Sequence, residues 1–358
     1  MSSAPLNPTS APAKSDSRPA AAGERRQRLT KDARTIAFVY LVSIGLFAAQ
    51  AIVLGSSPSH LFSTTVVLST VAAVVAYGQG IAILTGGIDL SIPWTMVLAS
   101  VVVTASSLGS DSRAIWGIPL ALAAGAAVGA VNGLGIVYLR LAPIVMTLAM
   151  NVALEGAVLL YTNGTPKGFA PPVLISIMAS HVIVSWIPMA FVFLAAFTVI
   201  GVLLLQRTAY GRCVYAVGNS KQVAYLSGIG VRRTLVSVYV ISGMCSAIGG
   251  MLLAGFNQQS ALGTGDAYLL PSIAAVVIGG SSVLGGRGSY LGTLGGTFLL
   301  TTMGILLAAF TVADAIKTVI FGSMIIVSAV LFNTEIRSPA ILRTWAQGAL
   351  AVMGRRSR

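Results

Sequence analysis

The sequence predicts an all-α polytopic membrane protein with about ten transmembrane helices, and three observations carry that reading. Apolar residues make up 56% of the 358-residue chain and charged residues only 9%, whereas a soluble domain is about a quarter charged. The apolar residues fall in successive runs, each close to the roughly 20 residues that cross a hydrocarbon layer. The cations crowd into the N-terminal arm, one interior loop and the C-terminal tail, leaving the runs nearly uncharged. The net charge of +13 is therefore read as topology and contact with anionic membrane lipid, and no nucleic acid partner is implied.

Taken in order, residues 1–35 are rich in Pro, Ala and Ser and hold seven Lys or Arg. They lack the apolar core of a secretory signal and read as a disordered, basic cytoplasmic arm. The transmembrane domain follows over 36–332. Its first two spans are expected at about 36–55 and 62–84. The chain turns back at GGIDLS, residues 86–91. Three further spans follow at about 92–108, 114–137 and 143–161. TNGTPKGFAPP then opens a turn-rich outer loop over 162–186, whose later part has the character of a partly inserted helix. A sixth span, about 187–206, leads into the long polar loop 207–233. Four spans at about 234–256, 268–284, 289–310 and 313–332 complete the set, followed by a basic cytoplasmic tail, 333–358.

Charge gives this topology its sign. With ten spans and both termini inside, nineteen of the 22 cations lie on the inner side, as the positive-inside rule requires. The loop 207–233 then lies on the cytoplasmic side of a plasma membrane. Asn219 or Ser220 is placed to cap a short amphipathic helix from Lys221 to Ser227, closed by Gly228. Spans two to five and seven to ten flank this loop with similar lengths and opposite starting sides, which leaves an inverted repeat open. Glycine clusters such as GAAVGAVNGLG at 125–135 suit close helix packing, and a subset suits broken helices along a pathway.

Candidate functional residues are the polar groups inside this apolar frame. Asp89 and Ser91 sit at the junction of two spans, with Pro93 and Trp94 directly after. A carboxylate there either caps a turn or shapes a pathway, since buried acids face a cavity or a partner. Glu155 lies well inside the fifth span, with Asn151 one turn earlier and Asn132 in the fourth. Each suits either an interhelical hydrogen bond or a polar solute. Asn163 and the stretch NQQSALGTGDA at 257–267 add amide and hydroxyl groups on the outer side.

The chain has no Gly-Lys dipeptide, so no phosphate-cradling loop of the Walker type. It also lacks HExxH, a Cys-His cluster and a nucleophile elbow. Cys213 and Cys245 read as structural, and His60 and His181 fall near the outer surface. The reading is of a transport protein with no cofactor of its own, not an enzyme.

Several stretches together resemble the ribose-type permeases of bacterial ABC importers, within the superfamily of sugar and branched-chain amino-acid permeases. They are LTGGIDLSI (84–92), VNGLGIV (131–137), APIVMTLAM (142–150), YTNGTP (161–166), YGRCVYAVGNSKQVAYLSGIGV (210–231) and IAAVVIGGSSVLGGRGSYLGTLGG (273–296). The resemblance implies a homodimer, an ABC ATPase subunit that uses ATP, and an extracytoplasmic solute-binding protein delivering a monosaccharide or polyol. It also implies that 207–233 docks into the ATPase. Gly218, Leu226, Ser227, Gly228 and Ile229 match the family pattern, and Arg212, Asn219 and Lys221 stand in the same segment. Pro93, Trp94, Glu155 and Lys221 depart from it; the first three lie in the membrane region and leave the identity of the solute open. Two alternatives stay open. One is a branched-chain amino-acid or nucleoside permease; the other is an ion-coupled carrier using Asp89 and Glu155.

Overall fold

A computed structural model describes residues 18–179 and 187–332. These form thirteen helices: α1 Arg18–Leu54, α2 Pro58–Leu84, α3 Ile92–Ser107, α4 Asp111–Tyr138, α5 Pro143–Thr162, α6 Pro172–Ala179, α7 Met189–Arg207, α8 Ala209–Asn219, α9 Lys221–Leu226, α10 Val231–Asn257, α11 Asp266–Ile278, α12 Tyr290–Ala309 and α13 Asp314–Phe332. The first seventeen residues of the arm, the tail from 333, His181 and the end of the 162–186 loop lie outside the described residues.

The all-α class stands, but the count of ten spans is corrected. Among the described residues seven helices are long and apolar enough to cross a membrane: residues Ala33–Leu54 of α1, then α2, α4, α5, α7, α10 and α12. The expected third and eighth spans are α3 and α11, of 16 and 13 residues. At 1.5 Å per residue they are about 24 and 20 Å long, short of the roughly 30 Å hydrocarbon layer. The expected tenth span, α13, is not among the seven. The inverted repeat falls with the count, since its two sets keep three and two long helices.

The reason is physical. An apolar run is demanded equally by lipid and by the inside of a protein, and α3 is buried by its neighbours along most of its length. Its Met96 backbone lies against Gly250 of α10, and α4 packs along it with Gly117 against Ser106. Hydropathy cannot distinguish such a helix from a lipid-facing one.

Both short helices begin inside the bundle. After α2 the chain re-enters through 86–91, and α3 starts at Ile92. After α10 the segment 258–265 descends from the end of the bundle where Ser260 Oγ lies 3.1 Å from Thr104 Oγ1. It passes Leu262, packed on a cluster of Trp94, Val97, Leu154 and Val158. It reaches Gly265, where a Cβ would overlap the Pro93 carbonyl. The starts of α3 and α11 therefore meet inside the bundle, and the two helices run away from one another toward opposite ends.

The tightest helix pairing is that of α4 with α10. Gly125, Gly129 and Gly133 form an i, i+4 stripe on α4, and any Cβ on them would meet the backbone of Gly243, Tyr239 and Val236 in turn. Gly243 faces Gly125 reciprocally. Where lipid removes the hydrophobic drive between helices, such close backbone approach is what holds them.

Gly129→Val is expected to destabilise the protein by about 1–3 kcal/mol or more through overpacking. The check is a lowered thermal midpoint in detergent. Gly156→Ala, at a glycine with open space around it, is the comparison and is expected to leave the midpoint unchanged.

Candidate functional site

Asp89 is the organising residue of the interior. It is 1% exposed, and both carboxylate oxygens are engaged. Oδ1 accepts from the Ser91 backbone N–H at 3.0 Å and from Ser91 Oγ at 2.6 Å. Oδ2 accepts from Ser242 Oγ of α10 at 2.6 Å. Asn132 of α4 donates Nδ2 to Ser91 Oγ at 2.8 Å. A carboxylate taken out of water is tolerable only when so surrounded by donors. Asp89 thus closes 86–91 as a turn, pinned to α10 directly and to α4 through Ser91.

Thr147 of α5 completes the knot, accepting from the Leu90 N–H at 3.0 Å and donating to the Pro143 carbonyl at 2.9 Å. The Tyr239 hydroxyl and Asn132 Oδ1 are also buried here, and neither has a partner among the described residues. They mark room for a polar atom beside the knot.

The remaining expected pathway residues lie elsewhere. Trp94 is buried, and its backbone N–H reaches Asn151 Oδ1 of α5 at 3.4 Å. Asn151 and Glu155 are half-exposed, one turn apart on α5. Asn163 is exposed in a left-handed turn that ends α5, with φ 49°. The structure thus joins Asp89, Ser91 and Asn132 in one network, places Trp94 and Asn151 beside it with Glu155 one turn along α5, and leaves Asn163 at the far end. There 162–171 meets 257–260 through the Phe169–Gln259 bridge and the Ala170 N–H to Gln258 carbonyl bond of 2.9 Å.

The polar segment 207–233 folds as two helices at the opposite end. α9 is the expected short helix. Ser220 caps it, accepting from the Val223 N–H at 3.3 Å, and Gly228 ends it with φ 79°. Val223, Tyr225 and Leu226 are 61%, 73% and 76% exposed, an apolar face left uncovered among the described residues. Ser227, Gly228, Lys221 and Arg212 are exposed around it, and Ile229 is half-buried.

α8 was not anticipated, and it carries the connection inward. A Cβ on Gly218 would overlap the Leu84 carbonyl, which itself accepts from the Gly286 N–H at 2.9 Å. Asn219 lies against Gly286, and the Tyr215 hydroxyl donates to the Gly288 carbonyl at 2.8 Å. Burial raises the pKa of Tyr215 and pushes that of Tyr210 up to about 12, so both stay neutral at physiological pH. α8 therefore touches both inner connections at once: the end of α2 that leads into the Asp89 loop, and the 279–289 segment that follows α11.

Sequence reasoning missed Ser242, Tyr239 and Thr147. A signal was available: Tyr239, Ser242 and Ser246 recur at i, i+3 and i+7 on the otherwise apolar α10, and all three are buried. A polar stripe on one face of an apolar helix marks a bonded interface.

Comparison with known proteins places the chain among transport permeases. The family model described as "Branched-chain amino acid transport system / permease component" matches residues 61–329. The ribose import permease of Bacillus subtilis is 34% identical over 293 residues, covering 80% of this chain and 90% of that protein. The fructose import permease of Rhizobium meliloti is 33% identical over 306 residues, 82% of this chain and 83% of that one. The galactose/methyl galactoside import permease of Haemophilus influenzae is 31% identical over 316 residues, 83% and 92%. No solved structure matches the chain significantly.

Ser242→Ala is expected to cost about 1–3 kcal/mol by removing a donor from a buried carboxylate, read as a lower thermal midpoint. Ser323→Ala, whose hydroxyl bonds only the Ile320 carbonyl of its own helix, is expected to be neutral. Equal midpoints for the two variants would contradict the role given to the Asp89 network.

Proposed function

The chain belongs to the branched-chain amino acid transport system permease component family, and from that premise we propose that it forms the membrane pathway of an ATP-driven importer for a monosaccharide or related polyol. It is a multi-pass permease of a bacterial membrane and a transport subunit, not an enzyme. The observation that carries the sugar reading is the breadth of the similarity. Permeases named for ribose, fructose and galactose each align over four-fifths or more of this chain. Three different sugars at similar identity support the class and leave the member open.

Family membership implies an ATPase and a solute-binding protein as partners. We place the ATPase at the end carrying α8 and α9, where the exposed Val223, Tyr225 and Leu226 offer an apolar face outside any membrane span. Positive-inside charge supports a cytoplasmic placement of that end, since Arg207, Arg212, Lys221, Arg232 and Arg233 all lie in this one segment. ATPase closure against α9 would shift α8, and α8 is braced on both inner connections. Motion there reaches the Asp89 loop and the segment after α11 together. For this to drive transport, the ATPase must bind the two arrangements with different free energies. A second copy of the chain completes the pathway, as the resemblance implies.

Asp89 does not suit the ion-coupled alternative, because its acceptors are already filled by protein donors. The test is uptake of labelled pentoses, hexoses and polyols into proteoliposomes. Uptake is expected only when permease, ATPase, binding protein and ATP are all present. Gradient-driven uptake by the permease alone would overturn the proposal.

A further inference from the structure

Two carboxylates lie at mid-depth with nothing to neutralise them. Asp266 is the first residue of α11, directly after Gly265 buried on the Pro93 carbonyl. Its depth follows from α10. Met96 lies against Gly250, about 28 Å from the start of that helix at 1.5 Å per residue. Pro93 is one turn of α3 nearer the middle of α10, which is about 40 Å long. Asp266 is nonetheless exposed. Its side chain makes no hydrogen bond or ion pair among the described residues, and only its backbone N–H is engaged, to the Gly263 carbonyl at 3.2 Å.

Glu155 repeats the situation on α5. It is half-exposed near the middle of a 20-residue spanning helix and has no partner among the described residues. Asn151, one turn away, uses its oxygen on the Trp94 N–H and keeps its amide N–H groups free. One apolar cluster links the three along the chain: Asn151 bonds the Trp94 N–H, Glu155 follows Leu154, and Asp266 comes four residues after Leu262, which packs with Trp94 and Leu154.

Unpaired carboxylates at this depth do not face lipid; ionisable groups within a membrane domain face a cavity or water. We infer that Asp266, Glu155 and Asn151 line a hydrated stretch of the solute path and form its hydroxyl-binding girdle. The inference rests on the permease reading above. Carboxylate and amide oxygens accept from the hydroxyl donors of a neutral polyhydroxylated solute, and the free amide N–H groups of Asn151 donate to its oxygens. Two carboxylates along the same path also select against anionic solutes such as phosphorylated or acidic sugars.

Cysteine accessibility tests this. In a Cys213→Ser, Cys245→Ala background, Asp266→Cys and Glu155→Cys are exposed to a membrane-impermeant thiosulfonate in proteoliposomes. Val152→Cys serves as the comparison, since Val152, 60% exposed, lies about 60° further round α5 from the buried Leu154 and Val158 than Glu155 does. Both test positions are expected to react at least about ten-fold faster than position 152, because modification follows solvent access and thiolate formation. In parallel, Asp266→Asn and Glu155→Gln are expected to raise the KM of ATP-driven sugar uptake while ATP hydrolysis by the assembly persists. Reaction no faster than at position 152, or an unchanged KM in both variants, would overturn the inference. Retained ATP-driven uptake in that case would leave the permease reading standing.

Discussion

The structure depends on one buried carboxylate. Asp89 has no access to solvent and must find all its hydrogen bonds within the protein. Ser91 and Ser242 supply them, and they can do so only if 86–91 folds back into the bundle beside α10. That requirement ends α2 at Leu84, starts α3 in the interior and makes α3 too short to cross the membrane. It also places Trp94 and Pro93 where the 258–265 segment can reach them, so that α11 begins against α3.

A consequence is a mechanical chain that runs from one end of the molecule to its middle. α9 presents its apolar face outward. α8 leans on the Leu84 carbonyl through Gly218 and on 286–288 through Asn219 and Tyr215. Those contacts flank the loop that Asp89 holds and the segment that ends α11. The glycine at 218 is required by the close backbone approach, and a side chain there would separate α8 from α2. The two short helices are the elements most directly placed to respond to movement at α9. Their starts meet where Asp266 lies, close to the cluster that Asn151 and Glu155 border.

Much of this was legible in the sequence. The all-α membrane class followed from composition, the α9 helix from Ser220 and Gly228, and the close packing of α4 from its glycine stripe. Asp89 was recognised as unusual because a carboxylate between two apolar runs has no lipid-facing explanation. The span count was not legible, because α3 and α11 are apolar for burial against protein and their composition matches that of a lipid-facing helix. The partners of Asp89 were obscured by distance, as Ser242 is far along the chain and bonds through a fold that hydropathy does not describe. α8 was hidden because its glycines, Gly211 and Gly218, read as punctuation. They serve instead for close contact with Leu205 and Leu84.

The central claim is that α3 and α11 start together inside the bundle. As full spans, they would begin at opposite membrane faces, roughly 30 Å apart. The most direct measurement is intramolecular cross-linking of Trp94→Cys with Leu262→Cys, in a chain lacking Cys213 and Cys245, by a short bifunctional thiosulfonate in native membranes. The account predicts an efficient link within one chain, identified by mass spectrometry of the joined peptides. Failure to link, with both single cysteines present and reactive to a lipid-permeant thiol reagent, would contradict it and restore two separate membrane crossings.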